Sequence, residues 1–88
     1  MVKRIHQLSS PLQLEAMLNC WQANDAVLLL DQGLACHQQL LQHSADMLIW
    51  VRARQLAALG LELRDAMQVI SDDQWLDYYA QAEQILCW

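Results

Sequence analysis

The chain has 88 residues, of which 56% are hydrophobic and 17% charged, with ten Asp and Glu against five Lys and Arg. This length suits one domain over residues 1–88, and its apolar content exceeds what one small core encloses, so we expect part of the surface to contact other subunits. Five cations without a cluster exclude a basic face for direct binding of nucleic acid or anionic lipid.

The predicted elements alternate between strands and helices. Strands are expected at 2–8, 26–30, 47–51 and 66–70, with a short fifth at 85–88. The second and third are continuous apolar runs, which are typical of strands covered on both faces of a parallel sheet. Neither run approaches the ~20 residues of a membrane-spanning helix, and residues 1–10 lack the apolar stretch of a secretory signal, so we expect a cytoplasmic protein.

Helices are predicted between the strands. Ser10 followed by Pro11 and Gln13 has the pattern of a capped helix start, and Asn24-Asp25 is expected to close that helix. Its apolar stripe consists of Leu14, Met17, Leu18 and Trp21. Further helices are expected at 35–43, at 54–59 with Gly60 as its cap, and after the capping-box pattern Ser71-Asp72-Asp73-Gln74. This alternation predicts the α/β class, with a parallel sheet of about five strands and helices on both faces.

Three cysteines without a C-x-x-C pair favour reduced thiols over a disulfide framework. Cys20 lies beside the stripe of the first helix, where a partner can reach it, although the end of a helix disfavours a thiolate. Cys36 is expected at a helix start and at the carboxyl edge of the sheet, where the helix dipole and the adjacent His37 favour its thiolate. The alternative for each is a small residue packed at the edge of the core.

Other side chains give weaker signals. Cys87 lies in an apolar stretch that either docks on a partner or completes the sheet. Among the four tryptophans, Trp88 is the one we expect at an interface. Cys36, His37 and His43 match no closed metal-site spacing, and two glycines cannot form a phosphate loop, so we expect no metal and no cofactor.

Several short motifs resemble those of the TusB/DsrH family, the smallest of three related subunits in bacterial sulfur-relay complexes. They are Ile5-His6 followed by Ser10-Pro11, the block DAVLLLDQG from Asp25 to Gly33, the Leu59-Gly60 end of the third unit, and the closing Trp88. The order and spacing of these motifs carry the resemblance over nearly the whole chain.

The resemblance implies a fold of the DsrE-like type and a heterohexamer with sister subunits of the TusC/DsrF and TusD/DsrE types. It further implies an accessory subunit of a sulfurtransferase complex that passes persulfide sulfur toward the 2-thiolation of the tRNA wobble uridine. The DsrH branch, which traffics sulfur during sulfur oxidation, is an open alternative, as is a purely structural module with inert cysteines. Cys20 matches a family cysteine late in the first helix and is the first candidate persulfide carrier, with Cys36 second on its local electrostatics.

Overall fold

One parallel sheet organises the molecule. The computed structural model describes residues 4–43, 47–59 and 67–88. Its strands are β1 (Arg4–Leu8), β2 (Ala26–Leu29), β3 (Leu48–Arg52), β4 (Met67–Ile70) and β5 (Gln84–Cys87). They lie in the order β4-β3-β2-β1-β5, and every neighbouring pair is parallel. The predicted α/β class with a five-stranded parallel sheet is confirmed.

Within the described residues, four helices cover the two faces of this sheet. They are α1 (Leu14–Cys20), α2 (His37–His43), α3 (Ala53–Leu59) and α4 (Asp72–Gln81), with 3-10 segments at Pro11–Gln13 and Asp31–Cys36. Met17 of α1, Leu40 of α2 and Leu56 of α3 belong to one core cluster, on what we call the three-helix face. The opposite side, the α4 face, is covered by α4. Helices on both faces are therefore confirmed.

The central strand β2 explains why its sequence is apolar without alternation. Val27 and Leu29 enter the core of the three-helix face, whereas Ala26 and Leu28 enter the core of the α4 face. All four side chains are fully buried. Because successive side chains of a strand point to opposite faces, a strand covered on both faces needs an unbroken apolar run.

Aromatic rings contribute to the packing of the α4 face. Trp50 of β3 stacks on Tyr78, with 4.5 Å between ring centroids. The guanidinium of Arg52 lies 4.2 Å from the centre of the Trp75 ring, a cation–π contact. The Trp75 indole Nε1 is buried without a hydrogen-bond partner, so this ring contributes packing rather than a polar link.

The start and end of α1 differ from the prediction. Ser10 is extended and its side chain makes no capping hydrogen bond, because a 3-10 turn intervenes in which the Gln13 amide donates to the Ser10 carbonyl at 3.0 Å. The predicted side-chain cap at Ser10 is therefore wrong, whereas Pro11 does open the helical segment. The helix ends at Cys20 rather than near Asp25, and Asn24 turns the chain into β2 with a φ of 77°.

The predicted capping box of α4 is confirmed. The Gln74 amide donates to Ser71 Oγ at 3.2 Å, and the Ser71 amide donates to Gln74 Oε1 at 2.9 Å. Asp72 and Asp73 lie in the first helical turn, where the helix dipole interacts favourably with their negative charges.

Gly33 lies where the chain after β2 passes close to the end of β1. A Cβ atom at this position would lie 2.1 Å from the carbonyl oxygen of Leu8. The residue before the turn is also tied to β1, because the Leu30 amide donates to the same Leu8 carbonyl at 2.9 Å. The glycine of the DQG motif therefore lets the chain after β2 pass close to the end of β1.

Some predicted positions lie outside the described residues. They are Val2 and Lys3 of the first strand, Gly60 as a helix cap, and Ala66 at the start of the fourth strand. Across the described ranges, every helix is too short or too polar to cross a membrane.

Candidate functional site

A buried charged network lies at the amino ends of β1 and β2. Arg4 and His6 alternate along β1 and therefore share one face of the sheet. The register pairs Ile5 with Ala26, which brings Asp25, just before β2, beside Arg4. His6 is completely buried and Asp25 is 4% exposed. Strand register thus gathers an arginine and a histidine around one carboxylate.

One carboxylate oxygen of Asp25, Oδ2, accepts hydrogen bonds from Arg4, His6 and Gln22. Arg4 donates to Oδ2 from Nε at 3.1 Å and from Nη2 at 2.7 Å, and His6 Nε2 lies 2.8 Å from the same atom. The Gln22 amide adds a fourth contact at 3.0 Å. Burial alone would raise the pKa of Asp25, but the hydrogen bonds from Arg4, His6 and Gln22 outweigh it and hold that pKa below its ordinary value.

The hydrogen bonds of His6 determine its tautomer. The indole Nε1 of Trp88 lies 3.1 Å from His6 Nδ1. An indole N–H can only donate, so Nδ1 must be the acceptor and Nε2 must carry the ring proton that points at Asp25. The result is a neutral imidazole that links Trp88 on one side to the Asp25 carboxylate on the other.

Cys20 is an exposed cysteine whose backbone contacts this network. It is the last residue of α1, and its carbonyl oxygen accepts a hydrogen bond from Arg4 Nη2 at 2.6 Å. The hydrogen bond to Asp25 raises the pKa of Arg4, against an opposing effect of desolvation. A fixed guanidinium therefore lies against the carbonyl end of α1, where the helix dipole alone would leave negative charge uncompensated.

A polar cavity of about 590 Å³ opens beside Arg4 and Asp25. Gln22 and Asn24 line it from the turn before β2, and Glu83 lines it from the turn before β5. This cavity lies at the amino ends of the strands, opposite the carboxyl edge at which doubly wound folds usually bind ligands. Cys36, which was expected at the carboxyl edge, does not line this cavity.

Cys36 lies at the predicted helix start but not in the predicted environment. It is 3% exposed and belongs to the core cluster of the three-helix face. Burial raises the pKa of its thiol, so the expectation that local electrostatics favour a Cys36 thiolate is wrong. The reason is that desolvation by the core dominates at this position. The side chain of His37 lies outside the described part of the molecule.

Trp88 packs on its own chain. Its ring is partly buried against the core of the three-helix face and stacks on His6, with 6.3 Å between ring centroids. Its amide donates to the Gln7 carbonyl at 2.8 Å, and its carbonyl accepts from the Ser9 amide at 3.1 Å. Cys87, just before it, is exposed and completes the sheet as part of β5. Contact between Trp88 and another subunit stays a prediction.

Sequence reasoning missed the roles of Arg4 and Asp25 and took His6 only as part of a motif. The usable signal was the polar character of β1, in which Arg4 and His6 alternate, followed by an acidic residue directly before the next strand. What was missing was the register between β1 and β2, because only that register places Asp25 beside Arg4.

Within the described ranges, no group of three or more His, Cys, Asp or Glu side chains is arranged to hold a metal ion. Chemically, the site combines the exposed Cys20 with the neighbouring guanidinium of Arg4, whose charge is paired with the Asp25 carboxylate. Comparison with known proteins finds no matching family model and no matching curated protein.

Proposed function

We propose that this chain is an accessory subunit of a sulfur-relay complex that passes persulfide sulfur toward the 2-thiolation of the tRNA wobble uridine. Its main role is assembly with two sister subunits, and Cys20 is the candidate carrier of sulfur. The observation that supports the proposal best is the exposed Cys20 at the end of α1, with the Arg4 guanidinium bonded to its carbonyl oxygen.

The transfer step needs no outside oxidant or reductant. The Cys20 thiolate attacks the outer sulfur of a donor persulfide and forms a new S–S bond. The S–S bond of the donor breaks, and its electron pair leaves with the donor as a thiolate. An acceptor thiolate on the next subunit then attacks the outer sulfur of the Cys20 persulfide in the same way. Both steps require a cysteine that is exposed to the partner sulfur. Cys20 is exposed, whereas Cys36 is buried.

The test is sulfur loading of the assembled complex. The full chain with its two sister subunits is incubated with a persulfide donor, and intact mass and peptide mass then locate added sulfur. We expect one added sulfur atom on Cys20, lost in Cys20→Ser. The matched control is Cys87→Ser, which removes another exposed thiol and should leave the loading unchanged. Absence of sulfur on Cys20 would overturn the carrier role.

A purely structural interaction module is the second candidate function. Four exposed aliphatic side chains among the described residues favour it, since Leu12 is 91% exposed, Leu76 61%, and Val69 and Ile85 39% each. This candidate predicts that Cys20→Ser leaves both assembly and thiolation by the complex unchanged. Full thiolation with Cys20→Ser would therefore favour the structural module over the carrier.

A further inference from the structure

The packing of β5 rests on few contacts other than strand pairing. In the described part of the chain it is an edge strand of four residues that pairs with β1 alone, and three of its four side chains are exposed. Trp88, directly after β5, is the residue that ties it to the core. An edge strand with little buried surface opens at a lower free energy than the central strands of the same sheet.

The polar anchor of Trp88 depends on the protonation of one atom. The Trp88 indole donates to His6 Nδ1, which must be unprotonated to accept. If Nδ1 gains a proton, two N–H groups face each other and the hydrogen bond is lost. The backbone contacts of Trp88 with Gln7 and Ser9 do not depend on this proton.

The charged groups around His6 also disfavour a positive charge on its ring while Trp88 is hydrogen-bonded to it. Asp25 is the carboxylate that faces the ring from the start of β2, and Arg4 from β1 already neutralises it. From α1, Cys20 contributes its carbonyl to Arg4, and Glu83 lies before β5 in the cavity that Arg4 shares with Asp25. A protonated His6 would therefore place two buried or half-buried positive charges on one carboxylate.

We propose that β5 and Trp88 form a strap that closes on β1 through the Trp88–His6 hydrogen bond and opens when His6 is protonated. Opening makes β1 an edge strand and uncovers the His6 ring, while the rest of the sheet stays folded. This inference concerns a conformational device and does not depend on the proposed sulfur chemistry.

Other members of the network keep their charge through the relevant pH range. The pKa of Asp25 is held below the ordinary carboxylate value and the pKa of Arg4 is raised, so neither changes charge between about pH 7.5 and 5.5. Because closure needs an unprotonated Nδ1, the closed population falls as the pH decreases, by up to about tenfold per pH unit for one coupled proton.

Backbone hydrogen exchange of the full chain, read by mass spectrometry and corrected for intrinsic exchange rates, tests the strap. Between about pH 7.5 and 5.5 we expect protection of β5 to fall about tenfold or more, while β2 and β3 keep theirs. Constant protection of β5 over this range would overturn the proposal, and so would an equal loss in β2 and β3.

Two tryptophan variants separate the hydrogen bond from ring packing. Trp88→Phe removes the indole N–H and should leave β5 weakly protected, with no dependence on pH. Trp75→Phe is the matched control, because the Trp75 indole N–H has no hydrogen-bond partner, and it should retain the wild-type pH response. A wild-type pH response in Trp88→Phe would contradict the role given to the indole.

Discussion

Asp25 is the carboxylate that compensates the positive charge of Arg4 in the buried network. Replacing Asp25 measures how much this charge pairing stabilises the folded protein. Asp25→Asn removes the carboxylate that faces Arg4 and His6, leaving a partly buried guanidinium without its counter-charge. We expect the free energy of unfolding at pH 7 to fall by about 3 kcal/mol in a urea titration. Asp77→Asn, an exposed change on α4, should cost less than about 0.5 kcal/mol.

The lowered pKa of Asp25 fixes how the stability difference between wild type and Asp25→Asn changes with pH. Because the pKa of Asp25 is lower in the folded than in the unfolded protein, its stabilising effect is present above the ordinary carboxylate pKa of 3.8. The effect is lost as the pH falls through the lowered folded-state value. The gap between wild type and Asp25→Asn should therefore narrow at low pH, and a gap that widens there would contradict the assignment.

The three cysteines should differ in reactivity toward iodoacetamide. Cys20 and Cys87 are exposed, whereas Cys36 is buried with a raised thiol pKa. Since the thiolate is the reacting form, native protein at neutral pH should gain adducts on Cys20 and Cys87 only. Cys36 should react after denaturation. Peptide mass spectrometry checks this result, and rapid labelling of Cys36 in the native protein would contradict its burial.

At the scale of elements, Gly33 tests the close approach of the chain after β2 to the end of β1. Gly33→Ala would place a Cβ atom against the Leu8 carbonyl, so backbone must shift to admit it. We expect a loss of about 2–3 kcal/mol in the free energy of unfolding. Ala35→Ser, an exposed change in the same 3-10 turn, is the control and should be nearly neutral. Equal stability of the two variants would show that the turn can adjust.

Prediction of the elements succeeded where local patterns decide them. The apolar run at β2 and the capping box at Ser71 and Gln74 both depend on neighbouring residues, and both are present in the structure. The cap at Ser10 failed because its pattern fits two local solutions, a side-chain cap and a backbone 3-10 turn. The choice between them is made where the segment packs.

At the scale of the whole molecule, both helical layers share one sheet and should unfold together. Each inner strand supplies side chains to both faces, as Val27 and Leu28 do from β2. We therefore expect far-UV circular dichroism and tryptophan fluorescence to give the same urea midpoint at pH 7.5. Trp50 and Trp75 report on the α4 face, whereas Trp21 and Trp88 report on the other. Two separated transitions would show that one layer unfolds alone.

The sequence by itself determined the α/β class and the parallel sheet, because these follow from apolar runs and from the alternation of elements. Tertiary structure alone decided the site. It joined Arg4, His6 and Asp25 through the register of β1 and β2, brought Trp88 onto His6 across 82 positions of the chain, and buried Cys36. Such pairings depend on which strands become neighbours and on how the core excludes water, and local sequence patterns do not encode either.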